Sequence, residues 1–173
     1  MQYPSDWTFV PEQEDFSAEN QMDVPLGDFC PTSSVGSEPK VLDCHMNLEL
    51  DVPAYLGITI FKVNEGTTVD EFYDQKTAQF GAADDLTGRK NIETNNIKIS
   101  GFPAIQRIDT VGGGSMDKLL GSIGQERTKG KVIDVYVVNG DLGYRFFADT
   151  KDQDDFEKYL PIFENMLNSV QIK

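Results

Sequence analysis

Residues 131–148 read KVIDVYVVNGDLGYRFFA, two runs rich in β-branched and aromatic residues around an Asn-Gly pair. Asn139-Gly140 predicts a two-residue type I′ hairpin turn, because both central positions of that turn need φ > 0. Pairing outward sets Val137 opposite Leu142, Val135 opposite Tyr144 and Ile133 opposite Phe146, all on one apolar face. The other face carries Asp134 opposite Arg145, Val132 opposite Phe147 and Tyr136 over Gly143, a mixed surface expected to be only partly dry. Downstream, Phe156, Tyr159, Leu160, Phe163, Met166, Leu167 and Val170 recur at helical spacing and supply a stripe to cover the apolar face. Pro161 inside that stripe removes one backbone donor, which allows a kink or two short helices in succession. An antiparallel sheet covered by a helix follows.

Upstream, Met1 to Val10 reads as the tail of one strand, a Pro-Ser-Asp turn and a short strand holding Trp7 and Phe9. Residues 11–23 form an acidic, turn-rich surface loop, Val24 to Phe29 a short strand, and 30–44 a further loop. Met46 to Leu50 alternates weakly, and Tyr55 to Val63 is a clearer strand. Thr68-Val69-Asp70-Glu71 is a capping box opening a helix to about Phe80, with Val69, Phe72, Tyr73, Lys76 and Phe80 on one face. Lys90 to Ile99 resembles a strand pair turning at Asn95-Asn96, and Ala104 to Val111 is the next strand. Leu119 to Thr128 is expected to return as a strand against the hairpin, with Ile123 against Val135 preferred over Glu126 opposite Ile133.

The chain has 173 residues with a net charge of −14 and a pI near 4.3. That length suits one domain over residues 1–173, able to bury about two-thirds of its unfolded surface. The charge argues against nucleic acid and anionic membranes, both of which call for a basic patch. Solubility accounts for it, and a surface for a cation or basic partner is the alternative. No apolar run approaches the ~18 residues of a membrane span. No signal peptide precedes the folded-domain sequence, so the expectation is an N-terminally trimmed chain whose targeting segment or membrane anchor is missing.

Tyr3-Pro4-Ser5-Asp6-Trp7 resembles the YPxxW signature of PsbP-like domains. Ser100-Gly101-Phe102-Pro103-Ala104 before the central strands, the Gly140-bearing hairpin, and the terminal Asn168-Ser169-Val170-Gln171-Ile172 follow in the order that family shows. The resemblance covers nearly the whole chain. It implies an α/β/α sandwich with a central antiparallel sheet, and an extracytoplasmic, non-catalytic domain as in many prokaryotic members. In the family a glycine-containing strand precedes YPxxW, whereas this chain starts almost on the motif. Cys30, Cys44 and the loop between them are no general family feature. The fold hosts several unrelated functions, so activity does not transfer with it.

Chemistry-bearing residues are few. Cys30 and Cys44, the only cysteines, flank a turn-rich loop in a chain expected to be exported and favour a disulfide over two free thiols. Closing ~15 residues stabilises by roughly 3 kcal/mol in the chain-entropy model. Zinc on Cys30, Cys44 and His45 lacks a fourth ligand and any CxxC spacing. His45 is the only histidine, and no GxSxG elbow accompanies it. Gly112-Gly113-Gly114-Ser115 shares only its glycine content with a phosphate loop. Asp149, Asp152 and Asp154 offer oxygen ligands for Ca²⁺ but lack the glycine and distal Glu of an EF-hand; acidic residues in a helix's first turn favour its dipole without metal. No cofactor is implied. The expected function is a binding or assembly module for a protein or small ligand, with Glu12, Glu14 and Asp15 as the partner surface. The alternative is a hydrolase or metal-dependent enzyme using the acidic clusters and His45.

Overall fold

The computed structural model describes residues 1–11, 23–31, 54–81, 87–112, 114–115, 130–150 and 153–172. Its strands are β1 (Trp7–Pro11), β2 (Asp23–Pro31), β3 (Ala54–Lys62), β4 (Lys90–Ile99), β5 (Phe102–Val111), β6 (Gly130–Asn139) and β7 (Leu142–Thr150). Helix α1 spans Val69–Gly81, and α2 spans Gln153–Asn168. Among the described residues the strands form one antiparallel sheet in the order β1-β2-β3-β7-β6-β5-β4. The α/β/α sandwich with a central antiparallel sheet is what the structure shows.

The hairpin at the centre keeps its faces and changes its register. Asn139 pairs with Leu142, so Gly140 and Asp141 make the turn and Val137 faces Tyr144, Val135 faces Phe146 and Ile133 faces Ala148. Gly140 has φ 64°, whereas Ser100 is the only described non-glycine with positive φ. Positive φ at the first central position alone is the requirement of a type II′ turn. The slip is by two residues, and side chains alternate with period two, so every residue stays on its expected face.

Trp7, Phe29, Leu56, Ile133, Val135, Val137 and Phe146 form one core with Phe156, Tyr159, Phe163, Met166 and Leu167 of α2. Trp7 meets Tyr159 and Phe163 edge-on, with ring centroids 5.9 and 6.0 Å apart. Helix α2 runs through Pro161 as one element rather than two. Three hydrogen bonds tie the chain ends to this layer. The Gln2 N–H donates to Ser169 Oγ (2.6 Å), Ser169 Oγ donates to the Gln2 carbonyl, and the Ile172 N–H donates to Ser100 Oγ (3.1 Å). Ser100 and Gly101 both have positive φ, the pattern of the β4–β5 turn. Residues 90–99 are therefore one strand with its turn at Ser100-Gly101, not a pair about Asn95-Asn96. That asparagine pair lies within an edge strand, against Gln106 and Ile105.

Ile133 and Val135, expected beside residues 119–128, pair on that edge with Ile108 and Gln106 of β5. Residues 1–6 contain a turn and no strand, and Cys30 lies within β2 rather than in a loop.

Helix α1 covers the other face. Its capping box forms as expected: the Glu71 N–H donates to Thr68 Oγ1 (3.2 Å) and the Thr68 N–H to Glu71 Oε2 (2.8 Å). The Thr68 N–H foremost, and then the Thr68 hydroxyl, which donates to the same Oε2 at 3.0 Å, hold the Glu71 carboxyl below its ordinary value. Phe72 lies on Phe61 and Tyr136 and directly over Gly143, where an added Cβ would sit 2.6 Å from Phe72 Cζ. Phe72 is fully buried and has no room to retreat. Gly143→Ala should therefore destabilise the fold by about 1–3 kcal/mol through overpacking. A urea melt coincident with that of the wild type would mean that α1 does not rest on the hairpin.

Candidate functional site

The face under α1 carries the densest group of ionisable side chains among the described residues. Asp109 on β5 and Asp134 on β6 point into it, both fully buried. Arg107 and Asp109 stand two apart on β5 and share a face; Arg107 Nε donates to Asp109 Oδ1 at 2.7 Å. Arg145 of β7 donates from Nε to Asp134 Oδ1 at 2.5 Å. Arg89, just before β4, bridges the two carboxylates, donating from Nε to Asp109 Oδ2 and from Nη2 to Asp134 Oδ2. Asn91 Nδ2 adds a bond to Asp109 Oδ1 at 3.0 Å. Phe147 stacks beneath two of the guanidinium groups, 4.7 Å from Arg145 and 5.9 Å from Arg89.

Arg89 enters this layer through a tight backbone approach. Gly88 has φ 66°, and a Cβ there would lie 2.5 Å from the Gly114 nitrogen and 2.6 Å from the Gly112 carbonyl oxygen. The Gly112 N–H also donates to the Thr87 carbonyl at 2.9 Å. Glycine at 88 thus lets two backbones close together and delivers Arg89 over the sheet.

Burial and the buried carboxylates act in opposite directions on the arginines. Burial works against the Arg89 cation, yet Asp134 and Asp109 outweigh it and leave its pKa above the ordinary arginine value. The same opposition, through Asp109, raises Arg107. Burial, reinforced by Asp134, pushes the Tyr136 hydroxyl up, so it stays protonated. Tyr136 packs edge-on against Phe72 and Tyr73, and Lys76 Nζ sits 3.7 Å over the Phe61 ring. Among the described residues no buried side-chain nitrogen or oxygen lacks a partner.

From sequence, Asp134 is expected directly opposite Arg145 on a face that is only partly dry. In the structure Asp134 faces Phe147 across the ladder, Arg145 faces Tyr136, and the ion pair runs diagonally between them. That face is dry around Val132, Asp134 and Tyr136 because α1 and three guanidinium groups lie over it. Helix α1 thus covers the face that carries Tyr136, Val138, Arg145 and Phe147. Arg89, Arg107, Asp109 and Asn91 were missed altogether. The legible signal was Arg107-Ile108-Asp109, a charge pair at strand spacing.

Glu12, Glu14, Asp15, Cys44, His45 and Asp152 lie outside the described residues. Cys30 is fully buried on β2 beside Phe29, and no described cysteine is a free thiol. Asp149 stands at the end of β7 and Asp154 in the first turn of α2. Among the described residues no group of three His, Cys, Asp or Glu side chains is placed to hold a metal ion. No described helix is long and apolar enough to cross a membrane.

No family model and no curated protein sequence matches the chain. Among solved structures, it superposes on the solution structure of cyanobacterial PsbP (CyanoP) from Synechocystis sp. PCC 6803. The TM-score is 0.57 at 12% identity, covering 99% of this chain and 84% of that one. The chain has the PsbP-like fold. A second match, a protein of unknown function (PA94) from Pseudomonas aeruginosa, has a TM-score of 0.47 at 14% identity, covering 69% of this chain and 74% of the other. The PsbP-like likeness takes in both helical layers. The motifs that suggested it are joined in space, since Ile172 bonds Ser100 and Ser169 bonds Gln2, next to Tyr3.

Proposed function

We propose that the chain is a single PsbP-like domain, 1–173, acting outside the cytoplasm as a non-catalytic binding or assembly module for another protein or a small ligand. The observation that carries the non-catalytic part is the saturation of the ion network. Both oxygens of Asp109 and of Asp134 accept bonds from arginine, and neither carboxylate reaches solvent. A general base needs a proton to take from a substrate within hydrogen-bond reach, and these carboxylates are closed off from one. The extracytoplasmic part rests on the family resemblance. Broad hydrolase, phosphatase and oxidoreductase screens should show no turnover, and DNA or RNA no binding at physiological salt. One activity abolished by His45→Ala would overturn the proposal.

The partner surface we propose is the acidic stretch with Glu12, Glu14 and Asp15, now that α1 covers the mixed sheet face. Pull-downs from native extract should lose a partner when all three are changed to Lys. An unchanged set of captured proteins would remove that stretch from consideration. We further propose that Cys30 pairs with Cys44. Intact mass after alkylation without reductant should show no adduct on native protein, and two alkyl groups would end the idea.

A further inference from the structure

We draw no further inference here: the strongest candidate, the exposed outer edge of β4 at the end of the sheet, carries nothing, because strand alternation sets Glu93 and Lys98 on opposite faces where no antiparallel register with a second copy pairs them, and nothing in the structure shows what covers it.

Discussion

Phe163→Ala should lower stability by about 3–5 kcal/mol, measured as a drop in the urea midpoint at unchanged slope. Phe163 is fully buried at the middle of α2. Its ring meets Trp7 edge-on and lies 6.4 Å from Tyr159, so truncation opens a void between the helix, β1 and the central strands. The neighbours cannot readily collapse into it, since Val135, Val137 and Phe146 on the sheet are fixed by ladders on both sides. Phe156→Ala, at the start of the same stripe, should fall in the same range. A loss under about 1 kcal/mol at Phe163 would put it outside the range for a buried aromatic. It would mean that α2 does not lie on this face.

The α2 layer was legible because it is written in periodicity. Residues 156, 159, 160, 163, 166 and 167 repeat every three or four positions, and 133, 135, 137, 144 and 146 alternate, so two independent signals specify one interface. That reading survived a misplaced turn because faces depend on parity alone. The turn itself was not legible, since Asn139-Gly140 and Gly140-Asp141 both carry hairpin chemistry. Packing under α1 supplies a reason for the second choice. With Gly140-Asp141 as the turn, Val138 pairs with Gly143 and the bare glycine receives the Phe72 ring. β4 was misread for a related reason: polar Asn95 and Asn96 mimic a turn, yet an edge strand tolerates polar residues on its exposed side chains. The ion network was hidden because its members come from four separate stretches of chain. A lone charge on a strand reads as a solvated position until the strand order is known. Only the β5–β6 register, with Arg107 opposite Asp134, shows that these charges lie on one covered face.

Asp134→Ala is then expected to cost about 3–5 kcal/mol, the range for removing one partner of a buried ion pair. An exposed cross-strand pair would be worth at most about 1 kcal/mol. The substitution takes away the acceptor of both Arg145 Nε and Arg89 Nη2. It leaves three mostly buried guanidinium groups in a layer where Asp109 is bonded by Arg89 and Arg107. Most of the loss thus comes from removing a buried negative charge from among mostly buried cations rather than from the bond energy itself. A double variant separates the two contributions. Asp134→Leu with Arg145→Met removes a negative and a positive charge together and replaces them with apolar volume. It should be less damaging than the two single changes summed. As the exposed control, Lys62→Ala removes a 2.5 Å pair with Asp141 in which both side chains are more than half exposed. Its urea midpoint should match that of the wild type. If Asp134→Ala also melted with the wild type, the carboxylate would be solvated and the face under α1 open, leaving Arg145 and Phe147 accessible.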